Sequence, residues 1–187
     1  MSAEFATELA LPGFMKLKPP AFEDSRGWFS ELFSERRMEE AGLPARFVQD
    51  NWSVSNNRGT LRGFHYQAPP MAQGKMIWVV SGAVLDVAVD LRPDSPTFGQ
   101  SASYELRAES REALFLPEQF AHAFLTLEDN TTILYKATDF YSPEHERGIA
   151  WDDPVIGFDW PDWLETPVQS ERDTQWPKLD ALPRDFA

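Results

Sequence analysis

The run "KMIWVVSGAVLDVAVDLR", Lys75 to Arg92, constrains the fold more than any other stretch of this chain. It is dense in β-branched and aromatic residues and broken only at Ser81-Gly82, so it reads as two strands and a tight turn. In the second strand, the two-residue side-chain period puts Leu85, Val87 and Val89 on one face. Val84, Asp86, Ala88 and Asp90 fall on the other. The pattern recurs. After the turn-rich loop "RPDSPTFG", the segments "QSASYELRA" and "EALFLP" read as strands. "HAFLTLEDNTTILYKATDF" reads as two more around Glu128-Asp129-Asn130, with Thr131, Ile133, Tyr135 and Ala137 sharing a face. Many short, closely spaced strands predict an all-β sandwich or barrel.

Helix is confined to the periphery. In "SERRMEEAGLP", Ser34 can cap a short helix over Glu35 to Ala41, Gly42 can sit at C′, and Pro44 follows. From Trp151 the texture changes to "WDDPVIGFDWPDWLETPVQSERDTQWP", rich in Pro and Trp. This tail, from about residue 151, is expected to be ordered but irregular and to lie over the barrel. The 187 residues show no internal repeat or composition break, so residues 1–187 read as a single domain.

Charge and composition narrow the function. A net charge of -13 argues against nucleic-acid binding, which needs basic surface, but a local basic pocket can still take a small anion. Without cysteine, no disulfide or thiolate chemistry is available. Glu4, Glu8 and Pro12 interrupt the N-terminal region, which reads as neither a leader nor a membrane span, and a cytoplasmic setting is expected.

Three histidines carry most of the possible chemistry. His65, in "TLRGFHYQAPPMAQGK" just after a strand-like segment, reads either as a hydrogen-bonded structural histidine or as a general base, since the reference pKa of an imidazole, ~6.5, suits proton transfer near neutrality. His122, between apolar residues in "EQFAHAF", reads equally as a core histidine. His145 in "SPEHERG" reads as solvated. The His-x-His pair common in metal-binding β-barrels is absent, because Tyr66 and Gln67 follow His65. Arg26 in "DSRGWFSE" reads as part of a surface turn or as an anion ligand. Lys75 reads as a solvated strand-edge residue and Tyr135 as a core tyrosine until other evidence joins them.

That evidence is a resemblance. "DSRGWFSELF", "FVQDNWSVSNNRGTLRGFHYQ", "AQGKMIWVVSGAVLDVAVDLRPDSPTFG", "LFLPEQFAHAFLTL", "TILYKATDFYSPEHERGIAWDDPVIGFDWP" and "SERD" occur in an order that resembles the dTDP-4-dehydrorhamnose 3,5-epimerase family, from about Pro12 to about Asp173. The resemblance implies a cupin-type jelly-roll β-barrel with short peripheral helices. It also implies a cytoplasmic homodimer acting in dTDP-rhamnose and polysaccharide biosynthesis, with no metal and no cofactor. The implied reaction is an isomerase step that inverts C3 and C5 of a dTDP-linked 4-keto-6-deoxyglucose by proton abstraction next to the ketone.

By the same resemblance His65 is the base, Asp173 its partner, Tyr135 the acid on the opposite face, and Lys75 the cation at the ketone oxygen. Arg26 and Arg62 are expected at the phosphates. Glu31, Gln49 and Asn51 belong to the polar lining, His122 faces the sugar or diphosphate, Tyr141 stacks on thymine, and Glu146 contacts the ligand. Arg172 stands beside Asp173 where the family pattern has lysine; Phe64 and Ala123 replace a leucine or methionine and a glycine. The alternatives are a mono-epimerase acting at C3 or C5 only, and a non-catalytic nucleotide-sugar-binding cupin.

Overall fold

The computed structural model describes residues 5–182. In chain order the strands are β1 (Ala6–Glu8), β2 (Met15–Leu17), β3 (Ala21–Asp24), β4 (Gly27–Ser30), β5 (Gln49–Ser55), β6 (Leu61–Gln67), β7 (Lys75–Ser81), β8 (Ala83–Asp90), β9 (Ser101–Arg107), β10 (Ala113–Leu116), β11 (Phe120–Thr126), β12 (Thr131–Ala137) and β13 (Glu146–Gly148). They form a six-stranded sheet, β1-β2-β10-β7-β12-β5, and a five-stranded sheet, β13-β6-β11-β8-β9. The paired strands run antiparallel, and β3 and β4 make a separate hairpin. The fold is the expected all-β, cupin-like jelly roll.

The strand positions follow the sequence pattern, but the pairing does not follow chain order. β7 and β8 are joined at Gly82, yet they belong to different sheets. Gly82 adopts φ +81°, and a Cβ there would lie 2.4 Å from Thr131 Oγ1, so a side chain has neither the conformation nor the space. β11 and β12, joined by residues 127–130, likewise lie in different sheets. At these two turns consecutive strands therefore lie in facing sheets, whereas β8 and β9 pair side by side.

Three apolar layers result. Between the sheets lie Val84, Ala88, Leu106, Leu114, Phe124 and Ile133, among others. The opposite face of β8, with Val87 and Val89, packs under the tail residues Ile149, Ile156, Leu179 and Leu182. The alternation read along β8 is thus the division between barrel interior and tail-covered exterior. On the other side Met76, Trp78 and Phe115 are covered by Met38, Phe33 and Phe47.

Helix α1 (Glu35–Glu40) is short and peripheral. Ser34 has the extended N-cap conformation, but its side chain makes no capping hydrogen bond. At the other end Gly42 donates to Glu39 O and Leu43 to Met38 O, the paired bonds of a Schellman motif with Gly42 at C′. From Trp151 onward the described tail carries no strand, only two short 3-10 turns, and is held by its own hydrogen bonds. Buried Asp153 accepts from the amides of Val155, Ile156 and Leu179, and Trp160 donates to Trp151 O. Two local expectations change. His65 lies inside β6 rather than after a strand, and His145 is half-buried and bonded to Ser142 Oγ rather than solvated.

Candidate active site

One end of the barrel opens into a cleft of about 690 Å³, a size suited to a small-molecule ligand. Both sheets contribute. β6 supplies Arg62 and His65, β7 Lys75, β11 His122, and β12 Tyr135; Tyr141 and Glu146 close one side. Register explains the convergence, because His122 pairs directly with His65 across β11 and β6. The backbones approach closely there: a Cβ on Gly63 would lie 2.4 Å from His122 O, so only glycine lets the two strands meet.

The tail completes the cleft. Val168 bridges to Thr60 in parallel, and Leu61 N donates to Val168 O. This brings residues 168–173 along the mouth and places Asp173 beside His65, whose Nε2 lies 2.6 Å from Asp173 Oδ1. Burial alone would raise the Asp173 pKa. Hydrogen bonding and charge from His65, then Trp176 and Ser170, outweigh burial and hold it below the usual carboxylate range. An ionised carboxylate only accepts, so Nε2 carries the shared proton, and in the neutral form of the ring the lone pair lies on Nδ1.

A second pair stands across from the first. His122 Nε2 lies 2.8 Å from Oδ2 of fully buried Asp86. Each imidazole is thus committed to its own carboxylate. Among the described residues no three His, Cys, Asp or Glu side chains are grouped to hold a metal ion. Desolvation lowers the Lys75 ammonium pKa to about 8, against the opposing attraction of Asp86 and Glu146. Burial raises the Tyr135 phenol pKa, Arg62 pulls it back, and Glu146 raises it further, so the hydroxyl keeps its proton at neutrality. A carboxylate-paired imidazole, a buried lysine and a protonated phenol therefore face one space.

The mouth is polar. Glu146 accepts from the Tyr141 hydroxyl at 2.6 Å and from both terminal nitrogens of Arg172, Nη1 at 2.7 Å. Gln49 donates to Asn51 Oδ1 and accepts from Tyr141 N; Asn51 pairs with Tyr135 across β5 and β12. Gln49 and Asn51 thus share the Tyr135 face of the sheet, in line with Ser53 of the cleft wall, and do not themselves border the cleft.

Arg26 and Glu31 do not join the cleft of their own chain. Arg26 extends from the β3–β4 turn, bonded to Asp24, and Glu31 bonds Arg37. Sequence reasoning missed three residues here: Asp86, Ser170 and Trp176. An acidic residue on the barrel-interior face of an otherwise apolar strand was the available signal for Asp86. Ser170 and Trp176 gave none.

A model of the dTDP-4-dehydrorhamnose 3,5-epimerase family matches residues 8–181. A Pseudomonas aeruginosa protein named dTDP-4-dehydrorhamnose 3,5-epimerase is 49% identical over 171 residues, covering 91% of this chain and 93% of that one. The structure of the Bacillus anthracis enzyme of that name, with TDP and PPi bound, superposes with a TM-score of 0.89 at 41% identity, covering 93% of this chain and 98% of that one. The dTDP-6-deoxy-D-glucose-3,5-epimerase of Legionella pneumophila, in complex with dTDP-4-keto-L-rhamnose, gives a TM-score of 0.91 at 38% identity, covering 97% and 95%.

Proposed function

The chain belongs to the dTDP-4-dehydrorhamnose 3,5-epimerase family, and from that membership we propose how its own residues carry out the reaction. It is an isomerase that binds a nucleotide sugar and converts dTDP-4-dehydro-6-deoxy-D-glucose to dTDP-4-dehydro-L-rhamnose. A C–H bond next to a ketone becomes acidic only as charge moves onto the carbonyl oxygen. The enzyme therefore needs a base at carbon, a positive charge at oxygen and an acid on the far face.

His65 Nδ1 takes the proton from C3 or C5, while Asp173 orients the ring and stabilises its charged form. The Lys75 ammonium meets the enolate oxygen. Tyr135, reaching the cleft from the opposite sheet, returns a proton to the other face, and the configuration inverts. Arg62 and His122 face the diphosphate and sugar, and Tyr141 offers its ring to thymine, flanked by Glu146 and Arg172. The observation that carries this reading is the His65–Asp173 pair on one wall with protonated Tyr135 on the other.

The assembly we propose is a cytoplasmic homodimer. Trp52 and Val54 project outward from the edge strand β5, 66% and 49% exposed, and the β3–β4 hairpin exposes Phe22, Trp28 and Phe29. Apolar surface on this scale marks a protein contact. In a dimer whose hairpin reaches the other protomer's cleft, Arg26 and Glu31 recover a substrate-binding role.

The test is incubation with the keto sugar in deuterated water, followed by NMR. Deuterium at both C3 and C5 with inversion is expected. Inversion at one carbon would mean a mono-epimerase, and binding without exchange a non-catalytic cupin. In His65→Ala both exchange and inversion are lost. In Tyr135→Phe exchange persists while inversion is impaired; inversion at the normal rate would assign reprotonation to another group.

A further inference from the structure

Trp176 has no part in the mechanism above, yet its indole Nε1 donates across 3.1 Å to Asp173 Oδ1, the oxygen that accepts from His65 Nε2. The indole meets the His65 ring edge-on, with centroids 6.1 Å apart. Gly148 makes its place. That glycine pairs with His65 across β13 and β6, and a Cβ there would lie 2.3 Å from the indole Cδ2. A side chain at position 148 and the indole in this position exclude one another. The far side of the turn is fixed by Asp173 N, which donates to Ser170 Oγ at 3.1 Å.

We propose that Trp176 is a positioning residue of the epimerisation: it holds the Asp173 carboxylate against His65 and limits how strongly that carboxylate draws on the imidazole proton. This rests on His65 being the base. An oxygen that accepts two N–H groups divides its charge between them, and losing one concentrates it on the other. Without the indole N–H, Asp173 favours the charged imidazolium more strongly, and the neutral, base-competent ring is available only at higher pH. Arg62 on β6, Lys75 on β7, His122 on β11, Tyr135 on β12, Glu146 on β13 and Arg172 in the tail face the same space as His65. None of them is substituted in a Trp176 variant, and Trp176→Phe keeps a ring beside Arg172, whose guanidinium lies 5.7 Å from the indole, so the difference reads the lost N–H.

Trp176→Phe keeps a ring on Gly148 and deletes the donor. The expected result is a fall of about threefold in kcat/KM on the acidic limb of the pH profile, with the plateau above it retained and KM unchanged. With only three histidines in the chain, the ¹⁵N imidazole signals of His65 can be assigned by their loss in His65→Asn. In Trp176→Phe those signals titrate at higher pH, while those of His122 and His145 do not move. Gly148→Ala, which leaves the indole in the chain but denies it its place, gives the same displacement. An unmoved His65 titration in folded Trp176→Phe or Gly148→Ala overturns the proposal. The titration needs no turnover, so it is independent of the base assignment, which fails separately if His65→Ala retains full activity.

Discussion

Lys75 gives the cleft its most directly testable electrostatics. Its ammonium is the form that stabilises an enolate, and desolvation brings its pKa down to about 8. A lowered lysine pKa means that the charge is present below that value and lost as pH rises through it. The pH profile of kcat is therefore expected to fall on an alkaline limb near 8. Lys75→Met is expected to abolish that limb and lower kcat by about 10²–10³-fold. A limb that persists in the variant belongs to another group. Residue roles were legible to different depths. His65 stood out because histidines are few. Its partnership with Asp173 spans 108 residues, and no local spacing rule reaches that far. Asp86 was visible as a charge on an apolar strand, but its pairing with His122 depended on how β8 and β11 lie together.

The strands themselves were readable, because a two-residue period and turn residues are local properties. Their partners were not. β7 and β8 are adjacent in sequence and separate in space, since the tight turn at Gly82 redirects the chain between sheets instead of closing a hairpin. The other end of β8 leads to β9 within the same sheet, and there the connecting loop is held by a buried carboxylate. Asp90 is fully buried and accepts from Arg92, Ser95 and Thr97, which locks the following loop onto the strand. Burial alone would raise its pKa; these hydrogen bonds outweigh it and bring the value to about 2. The unfolded carboxylate titrates near ~3.9, so this stabilisation is fully present above that pH and lost as pH falls toward about 2. Urea unfolding is expected to show wild-type protein losing about 2 kcal/mol across that window through this group, a component absent from Asp90→Asn. Equal acid sensitivity in the two proteins would place the stabilisation elsewhere.

On the scale of the whole molecule, light scattering is expected to give twice the 21.3 kDa chain mass. Trp52→Glu is expected to shift the protein toward monomer. If Arg26 acts on the partner's cleft, Arg26→Ala loses activity by an increase in KM. Mixing it with His65→Ala under exchange conditions then restores part of the rate, because one hybrid cleft holds both groups. A monomer with full activity would remove the dimer reading. The tail adds a temporal consequence. The barrel can pair its strands before residues 168–173 dock on β6, but Asp173 does not stand beside His65 until they do. With β13 already paired on β6, the strand-free stretch from Gly148 to Asp173 is the last to be ordered, and fixing its backbone costs entropy before its contacts repay it. During refolding, the circular dichroism of the sheets is expected to recover first and turnover last, so that catalysis itself serves as the clock for the final step of assembly.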